Sequence, residues 1–212
     1  MRSTRAAERT PVVPLEAGAG PDNPPCPACG EPLFGWLDAR PGLHGPVKRC
    51  ESCGLGVVGD ADGSADALVA LDRLNRDDEI RIVSRASFAA WIGSAGWAGL
   101  EPESRYLFTP EAVRRLVANR DQVVVSTRWM PVAGIASMWQ TLLNGLTFGR
   151  NVALGALGRG TAVPARRPWQ RRLDMVISIL AAIPAILVAV PLELIAAIFR
   201  RGAVVKLRYE LL

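Results

Sequence analysis

Four cysteines, and only four, stand in this 212-residue chain, and they fall in two pairs: Cys26 with Cys29, and Cys50 with Cys53. Two residues separate the members of each pair, and twenty separate Cys29 from Cys50. Two intervening residues let both thiolates of a pair reach one ion from a tight turn. The glycine after each pair, Gly30 and Gly54, permits the positive φ that turns backbone N–H groups towards sulfur. Four thiolates close a tetrahedral shell, so the pattern predicts a structural zinc ion in a small zinc ribbon, with no open position for catalysis. Apparent binding energies on the order of 10–16 kcal/mol at such sites suffice to fold a segment too short to build its own core. A redox C-x-x-C would sit in a thioredoxin-like βαβ setting, and a disulfide framework belongs to an oxidising compartment. Neither fits as well as a metal. His44, the only histidine, lies between the pairs and reads as a loop residue.

Little else in the chain is equipped to react. One histidine, no spaced catalytic triad, no phosphate loop and no open metal site leave no catalytic or cofactor-binding residue to assign. The cluster Asp77-Asp78-Glu79 reads as a solvated turn. The net charge of +5 is almost wholly arginine, because Lys48 and Lys206 are the only lysines. Arginine pairs flank apolar stretches (Arg166-Arg167, Arg171-Arg172, Arg200-Arg201), a placement that favours an anionic membrane surface over a nucleic-acid groove. Within the ribbon, Arg40, Lys48 and Arg49 are offset by Glu31, Asp38 and Glu51, so no nucleic-acid partner is expected.

The elements around the cysteines follow from periodicity. Residues 1–25, rich in Ala, Pro, Gly and Glu, read as a disordered tail without the apolar core of a signal peptide. Residues 33–37 and 55–58 are expected as the strands of the ribbon, which spans residues 26–59. After a short polar linker, residues 67–74 carry Leu68, Leu71 and Leu74 on one helical face. A turn at 75–78 leads into a strand at 79–84. Residues 85–107 read as a loop with a short helix near Phe88, covered by Trp91 and Trp97. Thr109-Pro110-Glu111 starts a helix: a capping hydroxyl, a proline suited to the first position and an acid at the positive end. That helix should bury Val113, Leu116 and Val117. Strands follow at 122–127 and, at the end of the sequence, at 203–211, where Val205, Leu207 and Tyr209 alternate with Lys206, Arg208 and Glu210.

Between those last two strands lies a hydrophobic insert, residues 130–202. Residues 175–192 carry no charge over eighteen positions and end at Glu193. A simple spanning helix needs about 20 apolar residues, so the length is marginal. Pro184 and Pro191 are expected to kink or break the segment. Basic pairs on both sides give no orientation, and the strand after the insert must return to its partner. These points favour a helical hairpin or broken helix dipping into one leaflet. Residues 135–148 read as a second, interfacial helix with Trp139, Leu142, Leu143 and Leu146 on its apolar side. The alternative is a helical pair buried against the sheet or a partner.

The order of these elements resembles bacterial class I S-adenosylmethionine-dependent methyltransferases that carry a zinc ribbon. The resemblance rests on the ribbon ending in CGLGVV, on LVALDRLNRDDEIRIVS (a helix-turn-strand lead into their fifth strand) and on SFAAWIGSAGWAGLEPESRYLFTPEAVRRLV (their substrate-side loop and next helix). It implies that residues 123–127 and 204–209 are their sixth and seventh strands. It also implies that the first four strands, with the Gly-rich cofactor loop, are missing between residues 58 and 67, so no cofactor residue carries over. The expected fold is therefore α+β: a zinc ribbon at 26–59, a methyltransferase-like helix-strand-helix-strand at 60–129, a hydrophobic helical insert at 130–202 and a final strand at 203–212. The sheet would be a three-stranded half-sheet remnant, whose first strand has an edge to be covered by the ribbon, by the segment before it or by a second copy. The expected function is a non-catalytic, methyltransferase-like zinc-ribbon protein, a scaffold or partner subunit at the inner face of the cell membrane. Its partners would be the membrane surface and a protein or a second copy. The alternative is a methyltransferase completed by another chain.

Overall fold

A computed structural model describes residues 23–39, 43–60, 63–76 and 79–211. The tail expected at residues 1–25 therefore lies outside the described residues up to residue 22, as do Asp77 and Asp78 of the expected turn. In chain order the ribbon contributes β1 (Leu33–Leu37), β2 (Val47–Cys50) and β3 (Gly56–Val58). The middle of the chain follows with α1 (Ser64–Asp72), β4 (Asn75–Arg76), β5 (Glu79–Val83), α2 (Phe88–Gly93), β6 (Tyr106–Leu107), α3 (Pro110–Ala118) and β7 (Gln122–Trp129). The last part holds α4 (Pro131–Asn144), α5 (Val152–Ala156), α6 (Pro168–Ile198) and β8 (Val204–Leu211). The class is α+β, with two antiparallel four-stranded sheets ordered β1-β2-β3-β6 and β4-β5-β8-β7.

The second sheet is built on period-two alternation. Ile80 and Ile82 in β5, and Val205 and Leu207 in β8, point into the core, while Arg81 and Arg208 face out. β8 lies between β5 and β7 and runs antiparallel to both. The register of β7 against β8 shifts between Val124 and Ser126, a bulge in which Val125 has no registered partner on β8, while alternation sets Val123 and Val125 on the exposed face. α3 covers one face, burying Val113, Leu116 and Val117 at helical spacing. Its start is as read from the sequence: the Thr109 hydroxyl accepts from Ala112 N and Pro110 occupies the first position. The outer edge of β5 is met by β4, which pairs Asn75 with Ile80 and Arg76 with Glu79. Residues on both sides of the expected turn thus pair antiparallel, and the added strand makes this sheet four-stranded rather than three.

The first sheet draws its fourth strand from well beyond the ribbon, because β6 pairs with β3. One continuous core joins the two sheets: the cysteines, Leu33 and Leu55 pack in the same cluster as Ile80, Leu116, Val205 and Leu207. A second cluster gathers Trp97, Leu100, Met138 and Ala189 beneath α2. Trp97 is buried as expected. Trp91 is 73% exposed and only its ring stacks on Phe88, at 5.5 Å. A six-residue helix has too little surface to bury tryptophans on both sides.

The insert departs furthest from expectation. α6 runs unbroken through Pro184 and Pro191 for 31 residues, a length of about 46 Å, so no hairpin forms within it. Each internal proline removes one helical hydrogen bond, about 3 kcal/mol when nothing compensates. Here α4 lies antiparallel along α6, and packing against it accompanies the unbroken course of the helix. Gly134 meets Glu193 near one end, and Trp139 Nε1 donates to the Ala182 carbonyl in the middle at 3.0 Å. At the far end, Asp174 accepts from the amides of Phe148 and Gly149. α4 itself is a core helix rather than an interfacial one. Met138 and Leu143 are fully buried, Trp139 and Leu142 pack against the second cluster, and Leu146 lies beyond the helix end.

Candidate metal centre and apolar helix face

The two cysteine pairs meet where the ribbon folds back on itself. Antiparallel pairing sets Leu33 of β1 opposite Cys50 at the end of β2, which carries the second pair to the first. Within the first knuckle Cys29 N and Gly30 N both donate to the Cys26 carbonyl, and Gly54 N donates to that of Cys50 in the second. Gly30 and Gly54 have φ of 79° and 77°, the region a side chain would strain. Cys26 Sγ lies 3.5 Å from Cys53 Sγ, Cys29 Sγ lies 3.5 Å from Cys50 Sγ, and all four sulfurs are within 4.8 Å of one another. A disulfide requires about 2.05 Å, so these are free thiols. Tetrahedral ligation at about 2.3 Å puts sulfurs about 3.8 Å apart, and the observed set fits that spacing. Three of the four are buried and Cys29 is partly exposed.

The same closeness divides the protons unevenly. A hydrogen bond from Cys26, joined by one from Cys53, holds the Cys29 thiol far below its ordinary range, and the same bond to Cys29 pushes Cys26 up. The four thiol sulfurs are close enough together to hold a cation, which would take the place of those protons. All four corners of such a site would be protein sulfur, leaving no open ligand position.

Two arginines support the centre that the spacing of the cysteines could not reveal. Arg85 donates from Nε to the Gly54 carbonyl at 2.6 Å, and its guanidinium lies 4.8 Å above the Trp36 ring. Burial pulls its pKa down, while the thiolates of Cys53 and Cys50 act in the opposite direction. Arg115 reaches Ser52 Oγ at 3.2 Å. Thr109, besides capping α3, donates to the Cys53 carbonyl at 2.6 Å and ties the helix to the knuckle. These partners arrive from residues 85–115, so their role depends on the fold and not on local sequence. His44 keeps to the loop between the pairs, and the cluster is made of the four cysteines alone.

At the other end of the molecule, α6 is the one helix among the described residues long and apolar enough to cross a membrane, and only 17% of its most apolar window is buried. Its buried positions are Asp174, Ser178, Ala185, Ala189, Glu193 and Ala196, a stripe of small and polar residues facing α4. Its exposed positions include Ile179, Leu180, Ile183, Leu187, Ile195 and Ile198. The polarity is the reverse of a helix on a protein in water.

Neither a family model nor a curated protein nor a solved structure matches this chain.

Glu193 is the most unusual member of the buried stripe. It is fully buried, and its Oε1 accepts from Ala203 N at 2.6 Å. A Cβ on Gly134 would fall 2.0 Å from that oxygen, so only glycine admits the carboxyl here. Burial pushes its pKa from 4.5 up to about 7, with the Ala203 N–H pulling the other way. The folded state therefore keeps a proton that the unfolded chain loses as pH rises through this window. Stability falls from about pH 4.5 to pH 7, by about 3 kcal/mol in all. Glu193→Gln keeps an acceptor for Ala203 N and abolishes the titration. Thermal melts between about pH 5 and 8 should show the wild-type midpoint dropping relative to that of the variant. Parallel curves would show that Glu193 does not ionise differently in the two states.

Proposed function

We propose that this protein is a non-catalytic module of the membrane surface, in which a zinc-stabilised ribbon and an antiparallel sheet hold α6 against lipid as a scaffold or partner subunit. The observation that carries the reading is the inverted polarity of α6: small and polar residues inside, large aliphatic ones outside. A face of that size in water calls for a cover. α4 runs alongside α6 and is itself wrapped by α2 and α5, so the helix lies along the bilayer surface and does not cross it. Exposed Trp169 and Phe148 near its start, and Trp91 and Phe199 near its end, suit the headgroup zone. Free thiols and the net charge of +5 suit the reducing, anionic side of the membrane.

Zinc is the ion we assign to the four cysteines, since an all-thiolate tetrahedral set selects it among abundant divalent ions. The protein should purify with equimolar zinc by plasma mass spectrometry, and Cys50→Ser should lose most of it. Because the cysteines share a core with β5, α3 and β8, chelation should lower the melting temperature of the whole chain. A chain that melts unchanged after complete chelation would refute the structural role.

Changing Ile179, Leu187 and Ile195 together to Asp should weaken co-flotation with lipid vesicles by more than about tenfold, while leaving the zinc content intact. A wild type that stays fully soluble and never floats would sink the membrane reading.

The second reading is a methyltransferase completed by another chain. It is favoured by the placement of β8 between β5 and β7, the arrangement the family resemblance implies, and by the outer edge of β5. There β4 pairs only with Glu79 and Ile80. Calorimetric titration of S-adenosylmethionine into the zinc-loaded protein decides between them. The non-catalytic reading expects no heat at high micromolar ligand, and stoichiometric binding would put the enzyme first.

A further inference from the structure

The last turn of α6 closes as a Schellman motif without glycine. Arg200 takes the left-handed conformation at φ 57°, Arg200 N donates to Ala197 O at 3.0 Å, and Arg201 N donates to Ala196 O at 2.7 Å. The carbonyl of Arg201 then accepts from Phe88 N at 2.8 Å, which ties the first residue of α2 to this turn. Both backbone groups of Arg201 are thus committed, and its side chain is left to meet something else. Between α2 and the end of α6 lies a cavity of about 470 Å³, lined by Phe88, Ile195, Ala196, Phe199 and Arg201. That volume falls within the range of about 300–1,000 Å³ usual for small-molecule sites.

All of this lining except Arg201 is apolar. Ile195 and Phe199 stand four positions apart, and both are exposed. The Phe88 ring stacks on that of Trp91 at 5.5 Å, and the small side chain of buried Ala196 leaves room between the larger ones. The Arg201 side chain is exposed, and among the described residues its guanidinium has neither an ion pair nor a hydrogen bond. Glu193, the one acid within the last three turns of α6, is fully buried, accepts from Ala203 N and does not line the cavity. The result is an apolar groove with a single unpaired cation.

We infer that this groove binds one fatty acid, with its alkyl chain against Phe88, Ile195 and Phe199 and its carboxylate on the Arg201 guanidinium. The planar fork of one guanidinium matches one carboxylate through two parallel hydrogen bonds. The apolar walls suit a single chain. They offer no second cation for a doubly charged phosphate and no further polar side chain for a headgroup. The site goes beyond the reading of α6 as a membrane-surface helix and is tested without a bilayer, so the two stand or fall separately.

The test is calorimetric titration of the full zinc-loaded chain in lipid-free buffer at neutral pH, where a carboxyl is ionised. Laurate and dodecanol are the probes, each kept below its micelle or solubility limit. Wild type should bind one laurate per chain, about tenfold more tightly than dodecanol. Arg201→Gln should lower laurate affinity about tenfold, to the level of dodecanol, and leave dodecanol unchanged. Arg200→Gln, an equal change of charge at the neighbouring exposed position, should alter neither. Phe199→Ala should weaken both probes. Leu180→Ala, on the exposed face roughly four turns before Ile195, should weaken neither. Zinc content and melting temperature check the fold of each variant. Absence of saturable laurate binding would overturn the site, as would equal affinity of wild type for the two probes. Equal losses in Arg201→Gln and Arg200→Gln would overturn it in favour of diffuse charge attraction. Equal losses in Phe199→Ala and Leu180→Ala would overturn it in favour of general adsorption along α6. One-to-one laurate binding by a protein that never floats with vesicles would support this site while removing the membrane reading. Flotation without laurate binding would remove this site and leave α6 at the membrane.

Discussion

The excursion from residue 130 to residue 203 begins and ends at one point. Met130 N donates to the Val204 carbonyl at 2.9 Å, so the chain leaves β7 and re-enters β8 through adjacent positions of the same sheet. β8 must lie between β5 and β7, and seven of its residues are registered against β7. Both ends of the insert are thereby fixed, and an outgoing helix has to be matched by a returning one. α4 is 14 residues long and α6 is 31, so α4 alone cannot line the whole of its partner. The segment at 145–167, with α5, fills the difference at the start of α6. Closure of the loop, more than helix propensity, accounts for the length and direction of α6.

A buried polar network explains why α4 accepts a helix like α6 on one flank only. Thr141 Oγ1 accepts from Ala98 N, and Asn144 Nδ2 donates to the carbonyl of Gly96 on the side of α2. Asn144 also exchanges bonds with Asn151, and Gln140 Oε1 accepts from Leu154 N on the side of α5. Gly93 approaches so closely that a Cβ there would meet Thr141 Cγ2 at 2.4 Å. Three of these side chains are committed to orienting neighbours, and a buried polar group left without partners is costly. The remaining flank of α4 is taken up with the small residues of α6, at the close approach seen between Gly134 and Glu193.

The cysteine spacing, the alternation in β5 and β8 and the Thr109-Pro110-Glu111 start were legible in the sequence because each is a local signal with a local cause. What escaped depended on residues far away in the chain. β6 is two residues long and is a strand only because β3 lies beside it. Arg85 sits in a stretch without regular pattern, and its role at Gly54 follows from tertiary placement. The prolines of α6 carry a strong local signal to break, yet the helix runs through both. The apolar side of α4 was read correctly as apolar, yet Trp139 and Leu142 face a core that α2 helps to build, and nothing within residues 131–144 distinguishes a core from a bilayer.

The placement of β8 has a consequence for biosynthesis. The ribosome makes β5 and β7 first and their shared neighbour only after the whole of α6 has been translated. Through that interval the two strands wait with facing edges unfilled, and the most apolar segment of the chain leaves the exit tunnel ahead of the strand that completes the sheet. Until β8 arrives, α6 has no completed sheet to fold against. A polypeptide released before β8 would expose the greasy helix and two unsatisfied strand edges together, a combination that quality-control proteases are well placed to find.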